Sequence, residues 1–205
     1  MTTLAHIAYG LLWVGFGVLH SVLASATAKQ RLRPLFGRAY RLSYNLFAAV
    51  HIGAVVIGGR IWIAPQLAGY DFSPMIRAAL GAMALLGGIV LLLALGQYDL
   101  GRFSGLTQLR GGDATSGNAF DADEEPLHVT GLHRYVRHPL YTGAYLFLWG
   151  TVGSEFDLAT AIWASLYLAI GSRFEEGRLI ERFGDSYATY RSRVPAIIPW
   201  RGRAV

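Results

Sequence analysis

The chain has no cysteine among its 205 residues. That absence excludes disulfides, a catalytic thiol and cysteine-ligated metal sites. Charge is also scarce, at 15% of residues, where a soluble domain usually carries about 25%. The histidines show no H-E-x-x-H spacing and the acids form no metal-binding cluster, so no metal site is expected. Internal repeats and the broken-helix symmetry of many transporters are missing. So is the apolar–polar alternation of barrel strands. Gly15-Phe16-Gly17 follows no strand, which removes a dinucleotide fold. No basic residue precedes the first apolar core, so that segment is expected to be a retained helix rather than a cleaved signal peptide.

Long apolar runs fill the chain instead. Hydrophobic residues make up 53% of it and the mean hydropathy is +0.37. Five runs can be read: roughly Leu4–Ala24, Tyr44–Ala64, Met75–Tyr98, Pro139–Thr151 (extendable to Glu155) and Leu158–Phe174. The first three reach the ~20 residues that cross a ~30 Å hydrocarbon core. The last two are shorter and meet at Ser154–Asp157, which predicts a tight helical hairpin. The expected fold is all-α: one integral-membrane domain over residues 1–205, with about five transmembrane helices and a cytoplasmic C-terminal segment. Gly87-Gly88 predicts close helix packing. Gly111–Pro126, rich in glycine and acids, is expected to be a mobile cytoplasmic loop.

Cations set the expected orientation. They gather between the first and second runs, between the third and fourth, and in the C-terminal tail. Only Arg60 and Arg77 flank the second-to-third connection. The positive-inside rule then places the N-terminus outside and the C-terminus in the cytoplasm, in a bacterial inner membrane. The net charge of +5 is topology charge on this reading and calls for no nucleic-acid partner.

The polar residues near the runs carry the functional signal. Arg134-Tyr135-Val136-Arg137-His138-Pro139-Leu140-Tyr141-Thr142-Gly143 leads a polar loop into the fourth run. Arginine there can simply snorkel, and proline suits a first helical turn. That same helix start also offers unpaired N–H groups to an anion. Glu175-Glu176 follows the fifth run. As neighbours about 100° apart on a helix, they cannot both face one way, so one can face a pocket while the other pairs with an arginine such as Arg178 or Arg182. His20-Ser21 ends the first run and Gln97-Tyr98-Asp99 the third. His51 lies mid-membrane, where a neutral imidazole bonded to another helix is expected. Convergence of His20, Asp99, Arg137, His138 and Glu175 on one layer would build a site at the inner leaflet surface.

Residues 127–200 resemble the integral-membrane methyltransferases related to isoprenylcysteine carboxyl methyltransferase and phospholipid N-methyltransferases. The matching features are Gly131-Leu-His-Arg-Tyr-Val-Arg-His-Pro-Leu-Tyr-Thr-Gly143 and Arg173-Phe-Glu-Glu-Gly-Arg-Leu179. Phe183-Gly184, Tyr187, Tyr190, Val194-Pro195 and Ile198-Pro199 continue the match. Upstream, Leu19-His20-Ser21-Val22-Leu23-Ala24 and Gln97-Tyr98-Asp99-Leu100 are similar to the methanethiol S-methyltransferase branch, which tends to carry an asparagine–histidine pair where this chain has Gln97-Tyr98. The resemblance implies an S-adenosylmethionine-dependent enzyme with a cofactor core over 127–200. Tyr135, His138, Tyr141 and Glu175 or Glu176 would contact the cofactor; the catalytic set would be Arg137, bracing the site or the cofactor's carboxylate end, with His20 or Asp99 taking the acceptor's proton. The implied partners are the lipid bilayer and a small or lipophilic thiol such as methanethiol. A prenylated carboxylate, a phospholipid amine or a non-enzymatic scaffold are the alternatives.

Overall fold

The computed structural model describes residues 2–110 and 127–201. The expectation for Gly111–Pro126 lies outside the described residues. The fold is helical, with no named strand among the described residues; one isolated bridge joins Gly69 to Ser154. Three helical stretches are long and apolar enough to cross a membrane: Thr2–Ala24, Ala26–Gln66 and Pro74–Leu95. The described residues divide into two compact units, one built from residues 2–67 and 98–110, the other from 68–97 and 127–201.

The first unit holds α1 (Thr2–Ala24), α2 (Ala26–Phe36), α3 (Tyr40–Trp62), α5 (Leu100–Ser104) and α6 (Leu106–Leu109). Tyr9, Trp13 and Phe16 recur at helical spacing on α1 and are its buried side. Their rings meet edge to face, with centroids 6.3 Å and 6.1 Å apart, an arrangement worth about 0.5–1.5 kcal/mol per pair beyond burial. Leu4, Leu11, Val18 and Val22 point outward, as lipid-facing side chains do. The basic segment after α1 forms the helix α2. Ser25 caps it by accepting the Ala28 N–H, and Gly37 ends it at a positive φ of 54°. Gly105 also has positive φ, and a Cβ there would strike the backbone of Arg41 and Leu42, so only glycine lets the α5–α6 turn approach α3.

The second unit holds α4 (Pro74–Leu95), α7 (Pro139–Gly150), α8 (Glu155–Phe183) and α9 (Asp185–Arg193). Helices α4 and α7 touch backbone to backbone along a glycine seam. A Cβ on Gly87 would meet the Phe147 amide, one on Gly143 would lie 2.8 Å from the Leu91 amide, and one on Gly150 would meet the Ala84 amide. Small residues allow this close approach where lipid supplies no hydrophobic drive for association. The expected glycine packing is thus realised at Gly87, while Gly88 faces open space. Gly87→Val is expected to destabilise the protein by about 1–3 kcal/mol through overpacking, and Gly88→Ala to be near neutral. Thermal unfolding of the two variants in detergent checks the contrast.

Helix α8 runs well beyond the fifth apolar run. Ser154 caps its start, and Gly184, at φ 54°, ends it. Its 29 residues give about 43 Å of length. The extra turns beyond Phe174 are polar, so hydropathy alone stops short of them. They carry Glu175 and Glu176.

Candidate functional site

The second unit builds the site from α7, α8, α9 and the C-terminal segment. A tight turn over Gly131–Arg134 leads to Tyr135, whose side chain is exposed, and Val136, which is buried. The backbone N–H groups of Arg137 and His138 donate to the carbonyls of Pro195 and Ala196 at 2.8 Å and 3.0 Å. The Thr142 hydroxyl donates to the Ile197 carbonyl at 2.8 Å. These bonds strap the C-terminal segment across the start of α7, and Pro139 at its first position fits the fixed φ that a helix start requires.

Arg137 is held on two sides. Its Nε and Nη2 donate to one oxygen, Oε1 of Glu176, at 2.9 Å and 2.6 Å. Its Nη1 donates to the carbonyls of Arg191 and Val194, at the C-terminal end of α9. That is where a helix presents unpaired carbonyls and its negative dipole end. Four donations leave this guanidinium one of its five N–H groups to spare. The arginine partner of Glu176 therefore comes from the start of α7 rather than from Arg178 or Arg182 on its own helix; Arg191 stands 4.0 Å from its other oxygen.

His138 completes the arrangement. Its Nε2 lies 3.0 Å from Glu176 Oε1. An ionised carboxylate only accepts, so this nitrogen carries the proton. Burial alone would raise the Glu176 carboxyl, but hydrogen bonds from His138 and Arg137, together with the Arg137 charge, outweigh it and hold the group at about 2. The Tyr141 ring stacks on His138 with centroids 5.2 Å apart and planes 8° from parallel. The Tyr141 hydroxyl donates to Glu175 Oε2 at 3.0 Å. Glu175 is 3.6 Å from His138 Nδ1, and its side chain is 40% exposed against 11% for Glu176. The two glutamates thus separate: Glu176 is engaged by Arg137 and His138, while Glu175, oriented by Tyr141, is the more exposed.

Three supporting residues carried no role in the sequence reading. His133 is buried, with Nδ1 3.3 Å from Gln97 Oε1 and its ring stacked on His128. Burial, and then the neighbouring His128 and His138, push it down to about 4. Tyr190 donates to the His133 carbonyl at 2.7 Å. Tyr187 is 1% exposed, and its hydroxyl has no hydrogen-bond partner among the described residues. Burial, reinforced by Glu176, raises that phenol to about 12. Tyr187 and Tyr190 entered the sequence reading only as matching features of the resemblance, with no role attached.

The two depressed groups give a pH prediction. Folded His133 resists protonation that the unfolded chain accepts below about 6.5, so its stabilisation is lost as pH falls from 6.5 toward 4. Glu176 stays ionised when folded, so its contribution is present above 4.5 and lost as pH falls from 4.5 toward 2. Both act in one direction. The unfolding temperature is expected to drop by several degrees from pH 7 to pH 5 and further below 4.5, and a His133→Asn variant should lose the first drop.

The first unit places the other predicted residues. The Tyr44 hydroxyl is 2.7 Å from Nε2 of His20, and Phe16 packs between the rings of His20 and His51. His51 was expected to bond a neighbouring helix. Its Nδ1 is instead buried without a partner among the described residues, and the ring is packed by Phe16 and Phe47. Asp99 caps α5, accepting the Arg102 N–H at 3.0 Å, with the Arg102 side chain 3.8 Å away. No group of three or more potential metal ligands occurs among the described residues.

A helical protein with three apolar spans and a buried, paired guanidinium–carboxylate centre belongs among polytopic membrane proteins. Comparison with known proteins narrows that class. The chain is 30% identical to the methanethiol S-methyltransferase of Pseudomonas deceptionensis over 191 residues, 90% of this chain and 69% of that protein. It is 39% identical to methanethiol S-methyltransferase 1 of Bradyrhizobium diazoefficiens over 71 residues, 34% of this chain but only 25% of that protein. It is 36% identical to the protein-S-isoprenylcysteine O-methyltransferase of Schizosaccharomyces pombe over 115 residues, 52% of this chain and 46% of that protein. No family model and no solved structure matches the chain. The chain belongs to the integral-membrane methyltransferase superfamily.

Proposed function

We propose that this protein is an S-adenosylmethionine-dependent methyltransferase whose acceptor is a small or lipophilic thiol, with methanethiol the first candidate. The observation that carries the reading is the Glu175–Tyr141–His138 arrangement: an open carboxylate, oriented by a phenol and flanked by a stacked ring pair, at a helix start. This donor set fits the methyl donor's chemistry. Glu175 would hold its ammonium or ribose, Tyr135 and Tyr141 its adenine or cationic centre, and the first N–H groups of α7 its carboxylate. Arg137 and Glu176 act as the brace that keeps α7, α8 and α9 in register. The core lies over residues 127–200 of a single membrane domain. On this reading α7 and α8 supply the fourth and fifth spans, with the N-terminus outside and the C-terminus in the cytoplasm of a bacterial inner membrane.

The donor, when bound, supplies an electrophilic methyl on a sulfonium. The chain's residues align donor and acceptor, and such positioning can be worth about 7–11 kcal/mol in good cases. A thiol reacts as its thiolate, so its proton must pass to a base as the new carbon–sulfur bond forms. His20 is the better acceptor of that proton. Its ring is oriented by Tyr44, whereas the Asp99 carboxylate is occupied as a helix cap. Likeness to isoprenylcysteine O-methyltransferases supports a second reading, a prenylated carboxylate acceptor.

Calorimetry on detergent-purified protein tests the first claim: saturable binding of S-adenosylmethionine and S-adenosylhomocysteine is expected. Product analysis with methanethiol and with a prenylated cysteine then assigns the acceptor. A folded, monodisperse sample that binds neither cofactor form would sink the proposal.

A further inference from the structure

Helix α2 has a surface chemistry of its own, independent of methyl transfer. Residues 1–70 contain no aspartate or glutamate, yet Lys29, Arg31, Arg33 and Arg38 fall within ten positions of one another. Three cations in five residues bar α2 from hydrocarbon. The helix is nevertheless tied to the membrane at both ends, between the apolar α1, which ends at Ala24, and α3, which starts at Tyr40. The Tyr40 hydroxyl donates to the Leu23 carbonyl at 2.7 Å, which pins those two ends together. Ser25 and Gly37 turn the chain into and out of α2, so it is a separate element and not a prolonged span.

Its side chains match that position. No residue of α2 is buried, Leu35 is 79% exposed and Phe36 is also exposed. Arg31 and Leu35 stand one turn apart, which sets a guanidinium beside an exposed leucine. Cations beside exposed large apolar residues suit a helix to the interface plane, where apolar side chains reach the acyl boundary and cations stay at headgroup level. We propose that α2 is a binding site for the anionic headgroups of phospholipids in the adjoining leaflet. Arg31 and, in the turn Gly37–Ala39 just past α2, Arg38 meet the headgroup charge, Lys29 and Arg33 flank them, and Leu35 and Phe36 anchor the helix below.

The absence of native cysteine makes the test direct. Leu35→Cys carries a single spin label in vesicles of phosphatidylcholine alone or with phosphatidylglycerol, and its exposure to oxygen and to a water-soluble relaxation agent reports depth. The expected result is a label at the acyl boundary that sinks further with phosphatidylglycerol and returns in high salt. In native mass spectra, preference for phosphatidylglycerol over phosphatidylcholine should fall roughly fivefold for each cation removed in Arg31→Gln and Arg31→Gln/Arg38→Gln. A label as water-exposed as a soluble control overturns the proposal and means that protein or solvent covers α2. An immersed label indifferent to lipid charge and to both variants overturns its anionic part. Unchanged unfolding temperatures separate either outcome from misfolding.

Discussion

Glu175→Gln is expected to weaken S-adenosylmethionine binding about 10- to 100-fold while leaving the unfolding temperature nearly unchanged. The size follows from losing a charged hydrogen bond, typically about 1.5–3 kcal/mol. The lack of a stability effect follows from geometry. Among the described residues Glu175 accepts one hydrogen bond, from Tyr141, and its side chain is 40% exposed. A neutral amide of the same shape keeps the packing and still accepts that bond. Tyr141→Phe should weaken binding less, because it leaves the charge in place and removes only the group that orients it. Calorimetric titration beside thermal unfolding reads both quantities. Wild-type affinity in Glu175→Gln would falsify its assignment as the open carboxylate, and a large fall in unfolding temperature would place it in the frame instead.

Arg137→Ala should behave in the opposite way, destabilising the protein by about 3–5 kcal/mol, the usual consequence of stranding one partner of a buried ion pair. Three structural features set that size. Glu176, 11% exposed, would lose both guanidinium bonds and keep the His138 bond, with Arg191 4.0 Å from its other oxygen. The carbonyls of Arg191 and Val194 would lose their donor. Helix α9 would then be held mainly by Tyr187, Tyr190 and Val194 packed against Leu127, Val129, Leu179 and Phe183. The Glu176 carboxyl should rise from about 2, since the groups that lower it are chiefly His138 and Arg137. Arg137→Lys is not expected to restore the site, because a point-charge ammonium cannot span a carboxylate and two carbonyls as a planar fork does. The double variant Arg137→Met/Glu176→Gln should recover part of the loss, having no buried charge to strand. Chemical unfolding of the wild type, Arg137→Met, Glu176→Gln and the double variant would show whether the pair acts as a brace: additive losses would count against it.

Much of the fold was legible because hydropathy and helix length are local properties. The first and fourth apolar runs match α1 and α7 within two residues at each end, and the Glu-Glu pair was singled out because two acids at a membrane edge are costly. Helix α2 was not legible, because a basic segment between apolar runs looks like a loop when hydropathy is the signal. Its helicity rests on the Ser25 cap and the Gly37 turn. The end of α8 was missed for a related reason, since its last turns are polar and meet α9 rather than lipid.

The sequence by itself determined that this is a helical membrane protein carrying a methyltransferase pattern, and it singled out Arg137, His138, Tyr141 and the two glutamates within that pattern. It could not decide between Glu175 and Glu176, because adjacent helical residues differ only in direction, and direction has meaning only against neighbours. Tertiary structure gave the two different neighbours: it set Arg137, His138 and the end of α9 against Glu176 and left Glu175, bonded to Tyr141, the more exposed of the pair.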